Sequence, residues 1–121
     1  MYANKVFSTG TPEDIYKMIS DRLQPIEGYY TWHGKGIRLL FTIIEILVYL
    51  RETKFAVIDY GKVIRLIKLR NLEALINSDI PEHCRDILKE YISGLLPVGN
   101  EYPVHEFITF RFLKIDTSDF L

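Results

Sequence analysis

Cysteine is nearly missing from this chain of 121 residues, which has one, Cys84, alongside one tryptophan and two methionines. A lone cysteine excludes an internal disulfide and a cysteine-rich metal site, and it fits a reducing compartment. Charge of one sign is missing too. With 15 Lys and Arg against 16 Asp and Glu the formal net charge is -1, so no global field draws the chain to nucleic acid or anionic lipid. Any such binding has to come from a local patch. The N-terminus, M-Y-A-N-K-V-F-S-T-G, lacks the apolar run of a signal peptide, which makes the cytoplasm the default location. Long apolar runs are absent as well. Between Arg38 and Arg51 about a dozen residues carry no basic charge, and Glu45 sits among them, whereas a spanning helix needs about 20 apolar residues.

Catalytic signatures are equally scarce. The phosphate-binding pattern G-x-x-x-x-G-K-[ST] needs backbone amides, a lysine and a hydroxyl in fixed order. Gly34-Lys35-Gly36 lacks the first glycine and the hydroxyl, and Gly61-Lys62 is followed by Val63. His33, His83 and His105 lie far apart with no second ligand at metal spacing, so each reads as a surface or capping histidine. Cys84, between His83 and Arg85, reads as a passive thiol. These residues therefore predict no enzyme, no metal and no cofactor.

What the chain does have is a core. Its 48% hydrophobic and 26% charged content describes one globular domain over residues 1–121. Leu39, Leu40, Ile43, Ile44, Ile46, Leu47 and Leu50 recur at steps of three and four, predicting a central apolar helix that begins after Gly34 or Gly36 and decays at Thr53-Lys54. Glu45 interrupts that pattern and is expected at the stripe's edge or paired with a cation.

The flanking segments predict an all-α fold, a compact multi-helix domain around this long helix. Met1 to Gly10 shows no clear period and reads as an entry segment continuing from something upstream. Thr11-Pro12-Glu13-Asp14 is a helix start with Thr11 as N-cap, and that helix is expected to stop near Gln24, before Pro25. Asp59 can cap a helix over Tyr60 to Lys68, another opens near Asn71, and Ile80-Pro81-Glu82 begins one that Gly94 and Pro97 close. Phe107 to Ile115 alternates well enough for a strand, but a lone strand would have nothing to pair with, so helix is the preferred reading.

Lys62, Arg65, Lys68 and Arg70 form the one basic cluster, with the first three at helical spacing. The plain reading is a solvated helix face; the functional one is a patch contacting phosphates or a partner. Trp32 beside Lys35 and Arg38 is either a packing anchor or a stacking and cation-π site.

Taken in order, these segments resemble the all-α domain of type IV secretion and conjugation coupling proteins, especially the Dot/Icm and TraD-like branch. The carrying residues are Trp32-His33-Gly34-Lys35-Gly36-Ile37 leading to Val48-Tyr49-Leu50-Arg51-Glu52, then Ile64-Arg65 with Leu69, then His105-Glu106-Phe107-Ile108-Thr109-Phe110-Arg111-Phe112. The likeness spans roughly Gly28 to Phe120. Lys35 stands where the family pattern has arginine, and Glu106 replaces a glycine. The resemblance implies a non-catalytic substrate-recognition piece of a longer hexameric ATPase at the cytoplasmic side of the bacterial inner membrane, soluble and monomeric when isolated. Its Walker motifs and membrane anchor would lie outside these residues. Implied partners are DNA and the relaxosome, secreted effectors or adaptor proteins. The alternative is a free-standing helical regulator or adaptor that binds DNA through the four basic residues.

Overall fold

The computed structural model describes the backbone of residues 2–120 and the side chains of residues 5–118 and 120. Among the described residues the chain is all-α. Seven helices follow one another as α1 (Tyr2–Thr9), α2 (Pro12–Ser20), α3 (Tyr30–Lys54), α4 (Tyr60–Leu66), α5 (Leu69–Ile76), α6 (Glu82–Ser93) and α7 (Pro103–Leu113), before a 3-10 turn at Ser118–Phe120. No helix among them is long and apolar enough to cross a membrane.

Helix α3 has 25 residues, about 37 Å at the α-helical rise. Its middle buries Leu39, Leu40, Ile43, Ile44, Ile46 and Leu47 completely or nearly so, and α2, α4, α6 and α7 pack against it. The helix begins at Tyr30, not after Gly34 or Gly36 as expected. Glycine costs a helix interior about 1 kcal/mol against alanine, but tertiary contacts override that preference. Trp32 packs against Phe107 with ring centroids 5.4 Å apart, and a Cβ on Gly36 would lie 3.2 Å from Cγ1 of Ile108. Gly36 is thus the point of close approach between α3 and α7.

The shorter helices show which local signals decide their ends. Thr11 and Asp14 form a capping box: the Asp14 N–H donates to Thr11 Oγ1 at 3.2 Å, and the Thr11 N–H donates to Asp14 Oδ2 at 3.0 Å. Asp59 caps α4 by accepting from the Lys62 N–H at 2.9 Å. Helix α2 stops at Ser20, four residues short of expectation, because Arg22 and Leu23 donate to Ile19 and Ser20 in tight three-residue bonds that turn the chain. Helix α4 ends at Leu66, short of Lys68, whose extended backbone starts α5.

Two ends of the chain differ in kind from one another. The N-terminal residues form a helix, α1, where no period was legible; two turns are too few to display one, and this helix buries Val6 and Phe7. The tail is the expected helix. Pro103 occupies its first turn and Val104, His105, Ile108 and Phe112 face inward at helical spacing. Phe120 returns to the far side, edge-on to Phe7 at 6.2 Å and to Tyr60 at 5.3 Å.

Candidate functional site

Three places on this framework gather chemistry. The first is a groove of about 430 Å3 between the chain leaving α2 and the outer face of α7, lined by Arg22, Leu23, Ile26, Phe107, Phe110, Arg111, Lys114 and Ile115. Helix α7 is apolar on both sides, so after its inner residues are buried Phe110 stays 59% exposed at the groove. Lys114 Nζ lies 4.7 Å from the centre of the Phe110 ring, a cation-π distance. Arg111 donates to Gln24 and shares a 2.7 Å contact with His33 Nδ1. Desolvation lowers the pKa of His33, and the adjacent guanidinium lowers it further, so the ring stays neutral and accepts from Arg111. The groove therefore has an apolar floor and three cations, of which Arg22 is engaged with the Met18 carbonyl, the Phe120 ring and the nearby Asp116 carboxylate, leaving Lys114 as the cation over the exposed Phe110.

The second place is the basic cluster. Helix α4 ends before Lys68, so Lys62, Arg65 and Lys68 do not share one helix as their spacing predicted; Lys68 caps α5 and Arg70 lies in its first turn. Lys62 donates to the Val57 carbonyl and is half-buried. Arg65, Lys68 and Arg70 are exposed, and none is in an ion pair among the described residues. Trp32 does not stack with Lys35 or Arg38. Its ring joins Tyr29 and Phe107 in an aromatic cluster, while Arg38 pairs with Glu90 of α6 at 2.9 Å, which is the packing-anchor reading.

The third place brings together residues that stand far apart in sequence. Glu45, at the edge of the α3 stripe, accepts from or pairs with His83 Nε2 at 2.9 Å, and Cys84 Sγ lies 3.5 Å from the same nitrogen. The carboxylate oxygen, imidazole nitrogen and sulfur all lie within 4.8 Å of one another. Burial, and then the nearby Glu45 carboxylate, push the Cys84 thiol up to about 11. A nucleophilic triad would place the carboxylate on one ring nitrogen and the thiol on the other, whereas here both meet Nε2. The trio is therefore not a proton relay. It is a convergent set of one O, one N and one S donor.

The histidines divide accordingly. His83 is exposed and paired, His33 is half-buried under Arg111, and His105 is a buried core residue, not a surface or capping one. His105 faces inward because it lies one turn before Ile108 on the buried side of α7. Its Nδ1 is 2.7 Å from the Tyr91 hydroxyl, and burial lowers its pKa against an opposing effect of the Ile67 carbonyl. Nε2 nonetheless makes no hydrogen bond among the described residues.

Sequence reasoning singled out Lys62, Arg65, Lys68 and Arg70 and passed over Arg22, Phe110 and Lys114. The available signal was the surplus of aromatic residues in the tail: a helix that buries Ile108 and Phe112 cannot also bury Phe110. No protein-family model, curated protein or solved structure matches the chain. The class defined by fold and site is an all-α domain with a cation-rimmed apolar groove.

Proposed function

We propose that this chain is a non-catalytic recognition domain of the coupling-protein kind, which receives an acidic amphipathic helix of a cargo or adaptor protein in the groove along α7. The observation that carries the reading is the groove's chemistry, an apolar floor with the exposed Phe110 beside Lys114 and Arg111. An amphipathic helix buries its apolar face in such a groove while rim charges select an acidic partner. The resemblance adds support, since its first and third stretches pack together through Trp32 and Phe107 and through Gly36 and Ile108. On this reading the ATPase activity belongs to the parent motor, and these residues supply selection before translocation.

The test is binding of the whole chain to a synthetic acidic helix of about 20 residues with leucines at helical spacing, compared with a scrambled peptide of the same composition. Micromolar binding of the first, weakened about tenfold or more by Lys114→Glu, supports the reading. Equal binding of the two peptides, or of neither, overturns it. The parent assignment has its own readout, an antibody to this domain on fractionated source cells. A membrane-associated product several times larger than 14.2 kDa supports a coupling ATPase, and a free product near 14.2 kDa excludes it.

The exposed Arg65, Lys68 and Arg70 favour a second reading, a free-standing regulator that contacts DNA phosphates. Charge reversal at these positions and Lys62 should then weaken duplex binding and flatten its salt slope. Unchanged affinity would sink that idea.

A further inference from the structure

We propose that Glu45, His83 and Cys84 bind one zinc-class divalent ion, which clasps the middle of α3 to the first turn of α6. The three donor atoms come from two helices and already converge: Nε2 is 2.9 Å from the carboxylate oxygen and 3.5 Å from the sulfur, and all three lie within 4.8 Å of one another. Tetrahedral zinc with bonds of about 2.0–2.3 Å holds such donors about 3.4–3.6 Å apart. The sulfur-nitrogen separation already meets that requirement. The oxygen has to move about half an ångström away from the nitrogen and up to about 1.3 Å toward the sulfur, which a change in the torsions of the partly exposed Glu45 side chain supplies.

The donor chemistry sets the class of ion. A thiolate, an imidazole and one carboxylate suit zinc or cobalt, whereas calcium and magnesium require oxygen donors. The depth of the donors sets its coordination. Cys84 is fully buried and forms the back of the site, Glu45 is 24% exposed at its side, and His83 is 62% exposed at its mouth. Three protein donors leave a fourth, outward position for water. Binding forms the metal-sulfur bond and releases the thiol proton to buffer. None of these residues lines the groove along α7, so the inference stands apart from the proposed recognition role.

The test uses the full chain, reduced and stripped with chelator, titrated with Co2+ and then Zn2+. The expected result is one equivalent of cobalt with a thiolate-to-cobalt charge-transfer band and the intense visible bands of four-coordinate cobalt, bleached stoichiometrically by zinc. Zinc should also raise Tm. His83→Ala removes an exposed ring and leaves the fold intact, so it should weaken zinc about a hundredfold or more and abolish the Tm shift. Glu45→Gln should act in the same direction, and Cys84→Ala should erase the charge-transfer band. Absence of that band in the native chain, or unchanged affinity in His83→Ala, would show a hydrogen-bonded trio only and overturn the proposal.

Discussion

Arg51, in the last turn of α3, donates from Nη2 to the carbonyl of Gly10 at 2.8 Å, and its Nη1 donates to Phe7 at the same distance. Phe7 lies in the last turn of α1, whose C=O groups have no partner within the helix, and Gly10 directly follows that turn. Arg51 is therefore the clasp between the first helix and the central one, steadied from outside by Glu52 at 2.7 Å. Arg85 repeats the device, donating to Ile76 at 2.9 Å and Ser78 at 2.8 Å at the end of α5. Arg51 and Arg85 are in this way committed to helix ends, unlike Arg65 and Arg70, which are exposed.

Arg51→Ala strands both carbonyls, and its side chain is only 11% exposed. With about 1.5–3 kcal/mol for a charge-assisted hydrogen bond and partial rescue by water, the loss should be about 2–3 kcal/mol in urea unfolding. Arg51→Lys keeps the charge but cannot reach two carbonyls with one planar fork, so it should recover less than half. A loss below about 0.5 kcal/mol would mean that α1 does not depend on this clasp.

Gly34 and Gly36 make a matched pair in one helix. A Cβ at Gly34 meets nothing within 4 Å, whereas one at Gly36 lies 3.2 and 3.3 Å from two branches of the buried Ile108 side chain. Gly34→Ala should therefore stabilise by about 0.5–1 kcal/mol through helix propensity and a less free unfolded chain. Gly36→Ala should lose that gain to crowding, and Gly36→Val should destabilise by about 1–3 kcal/mol. Equal stabilisation by both alanines would show that α7 is not seated on α3 at this point.

The same glycines show what the sequence could reveal. The apolar period of α3, the capping box at Thr11 and the Asp59 cap are local patterns, and each was legible because neighbours in the chain create it. The start of α3 was not, because contacts with Phe107 and Ile108, more than 70 residues away, override the glycines' preference. The site was hidden for a related reason. Glu45 meets His83 across 38 residues, and no spacing rule links a core helix's odd carboxylate to a histidine on another element. The groove depends on which side of α7 is buried, which only the packing decides.

Phe55 ends α3 with φ 57 and ψ 30, a left-handed position where helices favour glycine. Its ring is 88% exposed, so little packing offsets the backbone strain. Phe55→Gly should stabilise the fold by about 0.5–1 kcal/mol, because the relief of about 1–2 kcal/mol exceeds the cost of a freer unfolded chain. Thermal unfolding checks this directly. A lowered Tm would mean that the Phe55 side chain contributes more to stability than its exposure implies, and would overturn the strain argument.

His33 and His105 both have their pKa values lowered from the ordinary 6.5, in each case first by burial, with Arg111 adding to the effect at His33. The folded protein thus keeps two rings neutral under conditions where the unfolded chain protonates them. Stability is full above pH 6.5 and is lost as pH falls below it, until the folded rings also take up protons. With chelator present, unfolding free energy should decline from pH 7.5 to 5.5, with a slope of up to one proton for each histidine. Asp14 and Asp116, whose pKa values are lowered from 3.8, contribute in a separate and more acidic window. His33→Gln keeps an acceptor for Arg111, and His105→Gln keeps one for Tyr91, so the double variant should fold and show a shallower decline. An unchanged slope in that variant would remove these two rings as the source.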